Sequence, residues 1–256
     1  MAWEFNFDKK TAISTGAASG MGLLFAQNFA SLGGNVVLCD VNQSVLNEKV
    51  AKINAKGQGK AIGVVCDVRN YKDVCNARDK AIEQFGSIDV VVNFAGGTAR
   101  RMLNVGWSDE FPDVPIEVFD WGLDVNLKGP FYFSHAVLSQ MRKQKSGLII
   151  NIGSITGAEG SGAGMDYATA KAGLMHGLTK SVAQYGANYG VRCVCVSPGP
   201  VLTRPEMAGM KTLLGRAAEP QEIVDLCLFL ASEKGQFING ENIMIDGGRN
   251  AMGRWE

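Results

Sequence analysis

Short apolar runs alternate along this chain with longer segments in which apolar residues recur every three or four positions. The short runs predict strands at residues 11–15, 35–39, 61–66, 88–92, 148–152, 192–196 and 242–245. Most of these runs are nearly continuous, which is typical of parallel strands buried on both faces. The longer segments predict helices at residues 20–33, 42–56, 70–86, 115–145, 166–189 and 219–232. This order indicates an α/β fold, a doubly wound parallel sheet of about seven strands with helices on both faces.

No linker, repeat or low-complexity tract interrupts the alternation, so we expect residues 1–256 to form a single domain. Two segments, 97–115 and 198–218, are less regular. Pro198, Pro200 and Pro205 interrupt secondary structure in the second of them. Both segments follow predicted strands, and open α/β sheets bind ligands at the carboxyl ends of their strands. We therefore predict that both segments form walls of a substrate pocket.

Charge and composition narrow the class of partner. Lys and Arg number 25, as do Asp and Glu, so the formal net charge is zero and neither nucleic acid nor a membrane surface is an expected partner. No apolar run approaches the ~18 residues of a membrane span, and the first ten residues lack a secretory pattern, so we expect a cytoplasmic protein. The six cysteines form no C-x-x-C and lie away from both histidines, which favours buried reduced thiols over a metal site.

A glycine cluster marks a candidate nucleotide site. Gly16, Gly20 and Gly22 follow the first predicted strand and open the first helix, where glycines allow a tight turn and helix N–H groups face a phosphate. The spacing is G-x-x-x-G-x-G, and alone it is compatible with an ordinary strand–helix turn. Asp40 ends the second strand, where a carboxylate can accept hydrogen bonds from both ribose hydroxyls of an adenosine. The same carboxylate would repel a 2′-phosphate, which favours NAD over NADP.

Tyr167 and Lys171 form a candidate acid/base pair. They lie four residues apart in a predicted helix, so both side chains project from one face. A nearby ammonium favours the phenolate, and we therefore predict a lowered pKa for Tyr167. Each residue also has an ordinary structural interpretation, since a helical tyrosine often only packs and a lysine is often solvated.

Several motifs in order resemble the short-chain dehydrogenase/reductase superfamily from about residue 10 to residue 248. They are the glycine loop at 15–22, Asp67, the segment 93–96, Asn126, Ser154, Tyr167-x-x-x-Lys171, Ser197-Pro198-Gly199 with Thr203, and Asp246-Gly247-Gly248. The resemblance implies a Rossmann-like fold and hydride transfer between a CH–OH group and a nicotinamide cofactor.

The resemblance also implies residue roles. Tyr167 exchanges a proton with the substrate oxygen and Ser154 hydrogen-bonds that oxygen. Lys171 holds the nicotinamide ribose and lowers the tyrosine pKa, and Asn126 holds a water that links Lys171 to solvent. Val201 and Thr203 contact the nicotinamide carboxamide. The full set of implied cofactor contacts is Gly16, Ser19, Gly20, Met21, Gly22, Asp40, Asp67, Val68, Asn93, Ala95, Gly96, Tyr167, Lys171, Pro198, Gly199, Val201 and Thr203.

The sequence departs from the family pattern in few places. Phe94 stands where the family often has a second asparagine, Met21 replaces a common isoleucine, and the segment 97–115 is long. The resemblance further implies a homotetramer assembled through the helices at 115–145 and 166–189, with the tail 249–256 and its Trp255 docking on a neighbouring subunit.

The short segment after Pro198 favours a small polar alcohol or ketone, such as a sugar, polyol or hydroxy acid. Side chains that could contact it are those of Arg100, Arg101, Trp107 and Glu159. An NADP-dependent ketone or 3-oxoacyl reductase is an alternative, as is a non-catalytic dinucleotide-binding regulator. An epimerase or dehydratase is a further alternative, although such relatives usually run longer.

Overall fold

The computed structural model describes residues 5–107 and 110–252. Seven parallel strands form one sheet in the order β3-β2-β1-β4-β5-β6-β7. Their bounds are Thr11–Thr15 (β1), Asn35–Asp40 (β2), Ala61–Val65 (β3), Val90–Asn93 (β4), Gly147–Ile152 (β5), Val191–Pro198 (β6) and Asn242–Ile245 (β7). The predicted seven-stranded parallel sheet is confirmed, with strand ends that differ from the prediction by one or two residues.

Six long helical segments connect the strands, as predicted, and two short helices were not predicted. In chain order the helices are Gly20–Ser31 (α1), Gln43–Asn54 (α2), Tyr71–Phe85 (α3), Ala99–Met102 (α4), Ile116–Leu123 (α5), Gly129–Gln144 (α6), Thr156–Glu159 (α7), Met165–Ala172 (α8), Thr179–Ala187 (α9) and Pro220–Ala231 (α10). A π-helical segment, Asp124–Lys128, joins α5 to α6, and another, Gly173–Leu178, joins α8 to α9. The two longest predicted helices are therefore continuous helical runs with a wider turn inside each.

Two apolar cores lie on opposite faces of the sheet. On one face, Phe25 and Phe29 of α1 pack in a cluster that includes Ile223 of α10. On the other face, Phe133 of α6 and Val74 of α3 pack in a second cluster. Each of these five side chains is fully buried, as the continuous apolar runs of the strands require.

The strand order reverses at β1, which pairs with β2 on one side and with β4 on the other. Connections after β1 and β4 therefore leave in opposite directions and open a crevice at the carboxyl edge, where open α/β sheets bind ligands. The crevice is narrow at its base. The N–H of Ala95 donates to Thr15 Oγ1 at 2.9 Å, and a Cβ on Gly16 would lie 3.0 Å from the Ala95 Cα.

A buried polar chain connects the sheet to the second π-helical segment. Asn93 donates to Asn151 at 2.9 Å, Asn151 donates to Thr179 Oγ1 at 3.0 Å, and Thr179 donates to the carbonyl of Leu174 at 2.8 Å. The last bond spans five residues and satisfies a carbonyl where the wide turn disrupts the regular ladder. Because α8 leads directly into this wide turn, these hydrogen bonds fix the carboxyl end of the helix that carries Tyr167.

All six cysteines are unpaired, and five of them are buried, as predicted. Within residues 5–107 and 110–252, no helix has both the length and the apolar character needed to cross a membrane. The same residues contain no cluster of three or more His, Cys, Asp or Glu side chains that could hold a metal ion.

Candidate active site

A cleft of about 340 Å³ opens at the carboxyl edge of the sheet, above β4, β5 and β6. The predicted site residues among its lining are Met21, Gly96, Ser154, Tyr167, Lys171, Pro198, Gly199, Val201 and Thr203. Both irregular segments also contribute to its walls, the first through Gly97, Thr98, Arg101 and Trp107. The structure thus has a cleft whose walls include both irregular segments, as predicted. Residues 108 and 109 lie outside the described part of the chain.

Tyr167 and Ser154 meet inside the cleft. Ser154 follows β5 and Tyr167 lies in the first turn of α8, and both side chains line the cleft, close enough that the Ser154 hydroxyl acts to lower the pKa of Tyr167. The N–H of Thr156 donates to Ser154 Oγ at 3.2 Å, which leaves the serine hydroxyl hydrogen free to donate. A substrate oxygen placed between these two hydroxyl groups would contact both of them.

The predicted lowering of the Tyr167 pKa is wrong for this structure. Burial raises the pKa of Tyr167, because a desolvated phenolate is disfavoured, and this outweighs the opposing effects of the nearby Ser154 hydroxyl and of the positive charges of Arg204 and Arg101. The cations that lower the pKa are therefore two arginines rather than Lys171. The spacing of four residues could not reveal this, since burial is a property of the folded chain.

Lys171 is buried, with 4% of its surface exposed. Its Nζ donates to the carbonyl of Ile152 at 2.6 Å and lies 5.5 Å from the centroid of the Tyr167 ring. Burial lowers the pKa of Lys171 from 10.5 to about 8. The ammonium has three donors, so two remain available beside the tyrosine after the bond to Ile152.

Asn126 lies in the first π-helical segment and is completely buried. Its Oδ1 accepts the N–H of Gly97 at 3.0 Å, and its Nδ2 donates to the carbonyls of Gly97 and Gly122, both at 2.9 Å. Both amide hydrogens are therefore used within the protein. The side chain fixes the backbone that follows β4. A water bound by Asn126 would have to contact an atom of this residue other than Nδ2.

The glycine loop has the geometry of a cradle. Gly16 and Gly20 have positive φ values of 62° and 57°, which favour glycine. A Cβ on Gly22 would lie 2.7 Å from the carbonyl oxygen of Gly16 and 2.8 Å from that of Thr15, so no side chain fits there. Next to Gly20, by contrast, the described residues leave open space at the start of α1. Ser19 caps this helix without a side-chain capping bond.

Asp40 ends β2 and lies beside this loop. Its Oδ2 accepts the N–H of Ala18 at 3.0 Å, and its Oδ1 accepts the N–H of Asn42 at 3.1 Å. A carboxylate offers about four acceptor positions, so roughly one on each oxygen remains for a ligand. The neighbouring Val41 is 67% exposed. The residues around Asp40 thus combine free acceptors with an open apolar surface.

Two predicted cofactor residues have other partners in the structure. Asp67 forms a bidentate ion pair with Arg69, with its Oδ2 2.6 Å from Arg69 Nη2, and this pairing lowers the pKa of Asp67. Asn93 is only 2% exposed and hydrogen-bonds Asn151 inside the sheet. The structure brings neither carboxylate nor amide into the cleft. Val68 is buried against Gly129, where a Cβ would lie 2.9 Å from Val68 Cγ2.

The segment after β6 closes the other side of the cleft. The N–H of Gly199 donates to the carbonyl of Ile245 at 3.0 Å, and a Cβ on Gly199 would lie 2.7 Å from the Asp246 Cα. Val201 is buried, and the N–H of Thr203 donates to its carbonyl at 2.6 Å. This tight packing directs the chain from Thr203 back across the cleft.

Two side chains suggested as substrate contacts belong to the scaffold instead. Arg100 is 4% exposed, donates to the carbonyl of Gly106 and lies over the ring of Trp107. Glu159 pairs with Arg249 at 2.9 and 3.1 Å rather than lining the cleft. Three residues that were not predicted as site residues, Arg204, Met207 and Met210, line the wall formed by the second irregular segment. Only the folded course of that segment reveals which of its residues face inward.

A doubly wound parallel sheet with a glycine turn after its first strand and a Ser–Tyr–Lys group at its carboxyl edge defines a Rossmann-like protein. A family model described as enoyl-(acyl carrier protein) reductase matches residues 16–250. The chain belongs to the short-chain dehydrogenase/reductase superfamily, as its motifs predicted, and it is an oxidoreductase acting on alcohol or ketone groups.

Similar proteins cover nearly the whole chain. It is 39% identical to trans-4-hydroxycyclohexanecarboxylate dehydrogenase of Sinomonas cyclohexanicum, over 95% of this chain and 93% of that protein. It is 34% identical to a 3-oxoacyl-[acyl-carrier-protein] reductase of Thermotoga maritima, over 93% of this chain and 97% of the relative. A crystal structure of a 3-oxoacyl-[acyl-carrier protein] reductase with bound NAD, from Brucella melitensis, superposes with a TM-score of 0.86 at 29% identity, covering 96% of this chain and 92% of that one.

Proposed function

We propose that this protein is an NAD-dependent oxidoreductase that transfers a hydride between nicotinamide and a small polar secondary alcohol or ketone. The observation that carries the proposal is that Tyr167 and Ser154 line one cleft together, with the Lys171 Nζ 5.5 Å from the centroid of the tyrosine ring. A proton donor and an oxygen-binding hydroxyl thus face one position. That position is where a carbonyl oxygen must receive its proton.

Each residue has a role that follows from its surroundings. Ser154 donates a hydrogen bond to the substrate oxygen, because the N–H of Thr156 already binds one of its lone pairs. Tyr167 gives its proton to that oxygen in reduction and takes it back in oxidation. Lys171 is oriented by its bond to Ile152, and its other N–H groups can hold ribose hydroxyls. The nicotinamide cofactor, when bound, supplies or accepts the hydride.

The proposed cofactor is NAD, and its position follows from the glycine loop and Asp40. The open space at Gly20 and the unpaired N–H groups of the first turn of α1 suit a pyrophosphate. The remaining acceptor positions of Asp40 suit two ribose hydroxyls, and its negative charge opposes a 2′-phosphate. Thr203 and Val201 line the cleft, and their proposed role is to contact the carboxamide.

A small substrate is favoured by the size of the cleft. The volume of about 340 Å³ is bounded by Met21 and Thr203, on the proposed nicotinamide side, as well as by Tyr167. Pockets for small ligands typically enclose about 300–1,000 Å³, so this cleft is at the small end of the range. The nicotinamide end of the cofactor would fill part of it. What remains suits a sugar, a polyol or a hydroxy acid. The relative from Sinomonas cyclohexanicum is named for a hydroxy acid, which agrees with this range.

A second candidate is an NADP-dependent ketone or 3-oxoacyl reductase, because the family description and several relatives are named for acyl-carrier-protein substrates. A non-catalytic dinucleotide-binding regulator is a third, and the presence of all four predicted catalytic residues argues against it. Asp40 argues against NADP on electrostatic grounds. The two enzyme candidates differ in cofactor and in substrate, so one assay separates them.

The experiment measures NADH formation by the purified protein from NAD with sugars, polyols, hydroxy acids and simple secondary alcohols. NADPH oxidation with 3-oxoacyl thioesters is measured in parallel, and Tyr167→Phe is the matched variant. We expect turnover with NAD on one of the first classes and a loss of at least about a hundredfold in the variant, the usual effect of removing an acid/base group. Turnover confined to NADPH and thioesters would establish the second candidate. NADH binding without turnover on any substrate would favour the regulator.

We also propose that the protein assembles as a homotetramer through α6 and α9. Phe131 of α6 is 50% exposed and Tyr185 of α9 is 48% exposed, and large apolar side chains on neighbouring helices are typical of a subunit contact. Light scattering is expected to give four times the chain mass of 27.3 kDa. A monomeric mass would exclude this assembly. The predicted docking of Trp255 concerns a residue outside the described part of the chain.

A further inference from the structure

Two arginines flank the reacting hydroxyl groups from opposite sides. Arg101 lies in α4, which follows β4, and Arg204 lies after β6. Ser154 follows β5, which is hydrogen-bonded to β4 on one side and to β6 on the other. The strand order therefore places the segments that carry the two arginines on either side of the one that carries the serine, and both arginines line the cleft that contains Tyr167.

Neither arginine has an acidic partner among the described residues. Other arginines of the chain do, since Arg69 pairs with Asp67 and Arg216 with Glu222, each within 2.7 Å. Arg204 contacts only the sulfur of Met207, at 3.7 Å, and the guanidinium of Arg101 lies over Gly97, 3.2 Å from the position of a Cβ there. A guanidinium has five N–H donors and can bind a carboxylate through two of them at once. The side chains of Arg101 and Arg204, neither of which forms an ion pair with a described residue, are therefore suited to bind an anionic ligand.

The wall of the cleft is strongly positive. Among the described residues that line it are three cationic side chains, Arg101, Lys171 and Arg204, and no aspartate or glutamate. Partial burial and the charge of Arg204 lower the pKa of Arg101, and the charge of Glu206, which does not line the cleft, opposes this lowering. Such a site attracts an anion and repels a cation.

The two arginines lie apart from the proposed adenosine end of the cofactor. Asp40 and Gly20 are at the carboxyl ends of β2 and β1, whereas Arg101 and Arg204 belong to the far side of the sheet, with β4 and β6. Their charges act on the tyrosine that meets the substrate, because both arginines lower the pKa of Tyr167. The anion they would bind is therefore next to the reacting carbon rather than on a distant nucleotide phosphate.

We propose that Arg101 and Arg204 together bind a carboxylate of the substrate, so that the substrate is a secondary alcohol or ketone that also carries a carboxylate. The inference rests on the proposed function and narrows its substrate class from sugars, polyols and hydroxy acids to the acids. The carboxylate is held between the walls formed by the two irregular segments, and the hydroxyl-bearing carbon is presented to Tyr167 and Ser154.

The test compares acids with uncharged amides of the same shape. The substrates are 4-hydroxycyclohexanecarboxylate and its carboxamide, and 3-hydroxybutyrate and its amide, each with NAD. We expect kcat/KM to favour the acid of at least one pair by about tenfold or more, the range for hydrogen bonds to a charged group. In Arg101→Gln and in Arg204→Gln the preference is expected to fall to about threefold or less. Arg142→Gln is the matched control, because Arg142 lies at the end of α6, next to the amino end of β5 and away from the cleft.

Three kinetic results would overturn the proposal while the proposed function stands. The first is equal turnover of acid and amide by the unmodified enzyme. The second is a preference for the acid that persists in both arginine variants. The third is a dependence on the arginines that appears only with acetoacetyl-CoA, or as a rise in the dissociation constant for NADH, since the arginines would then serve a thioester carrier or the cofactor.

Failure of the proposed function is recognised separately. It would appear as no turnover of any alcohol with either cofactor. In that case the affinity of the protein for cyclohexanecarboxylate, measured by calorimetry, tests whether the two arginines bind a carboxylate. Binding that is weakened about tenfold or more in each arginine variant, with cyclohexanecarboxamide bound poorly throughout, supports the anion site. Equal affinity for acid and amide overturns it. Arg101→Lys keeps the charge but not the fork, and it is expected to retain part of the preference.

Discussion

Lys171 should make the folded protein less stable at neutral pH than a variant that lacks its charge. The side chain is 4% exposed, and it donates to a single carbonyl in the described part of the chain, that of Ile152. Burial lowers the pKa of Lys171 from 10.5 to about 8, which means that the fold disfavours the ammonium relative to water, although the ammonium still predominates at pH 7. Catalysis as proposed needs this ammonium, so the site retains a charge that the fold disfavours.

The size of the effect follows from the two pKa values. A difference between 10.5 and about 8 corresponds to about 3 kcal/mol, at about 1.4 kcal/mol per pKa unit. A group whose folded pKa lies below its unfolded pKa binds more protons in the unfolded state between those values, so the free energy of unfolding rises with pH across that window. The cost of Lys171 is therefore almost fully present near pH 7 and largely relieved by about pH 10. The expected gain over this range is about 2–3 kcal/mol.

The pH dependence of the wild-type unfolding free energy alone would not reveal this gain. Burial raises the pKa values of Cys193, Cys195 and Cys227, so these thiols ionise at lower pH in the unfolded chain than in the folded protein. They therefore lower the free energy of unfolding as the pH rises. The informative quantity is the difference in unfolding free energy between wild type and Lys171→Met, measured by urea denaturation at several pH values and one protein concentration. Cys193 and Cys227 cancel in this difference, whereas Lys171 does not, and Cys195 cancels only in part because the charge of Lys171 lowers its pKa.

We expect the wild type to gain about 2–3 kcal/mol relative to Lys171→Met between about pH 7 and about pH 10. Lys180→Met, at an exposed lysine in α9, corrects for the general effect of replacing a lysine by methionine. A difference that stays flat within about 0.5 kcal/mol would refute the reasoning, since Lys171 would then titrate alike in the folded and unfolded chain.

Three further predictions concern the cofactor site and its support. Asp40→Ala is expected to lower kcat/KM with NAD about tenfold and to raise it with NADP, because the acceptors for the ribose and the repelling charge are lost together; an unchanged NAD/NADP ratio in steady-state kinetics would contradict the role of Asp40. Gly22→Ala should lower the free energy of unfolding by about 2 kcal/mol or more in denaturant titrations, since its Cβ would lie 2.7 Å from a backbone oxygen, and a change below about 0.5 kcal/mol would show that the loop adapts. Asn126→Ala removes the side-chain bonds to the half-buried N–H and C=O of Gly97 and to the buried C=O of Gly122 and should cost about 2–4 kcal/mol; thermal unfolding at the wild-type temperature would show that water replaces the amide.

The strands could be predicted because their cause is local. A parallel strand covered on both faces must be apolar at consecutive positions, and this pattern is visible in the residues themselves. The ends of strands depend on the neighbouring strand as well. β6 continues to Pro198 because Pro198 pairs with Ile245 of β7, a partner nearly fifty positions away in the chain that no local pattern could indicate.

The irregularities of the two longest helices have causes that the sequence does not display. The wide turn after α8 is associated with the bond from Thr179 to Leu174, and Thr179 is held in turn by Asn151 of β5. α4 and α7 are four residues long, too short for a helical period to be recognisable. Loop side chains such as Arg204 depend on the course of the segment after β6, which the sequence marks only as irregular.

The tyrosine illustrates the same limit in chemistry. The spacing of Tyr167 and Lys171 correctly brings the two residues together, but burial reverses the expected direction of the tyrosine pKa and removes part of the charge on the lysine. Sequence spacing predicts which groups meet. It does not predict how much water surrounds them, and hydration decides the protonation state of both groups.

Both buried and cleft-facing cationic side chains surround the phenol of Tyr167. Lys171 is buried and its pKa is lowered to about 8, whereas Arg101 and Arg204 face the cleft. The charges of the two arginines favour a phenolate at Tyr167. If a substrate carboxylate pairs with them, as we propose, their charge is offset and the tyrosine holds its proton more firmly. A keto acid would then arrive at a phenol that is still protonated, which is the state that reduction requires. The alkaline limit of keto acid reduction should accordingly lie at higher pH than that of the matching keto amide.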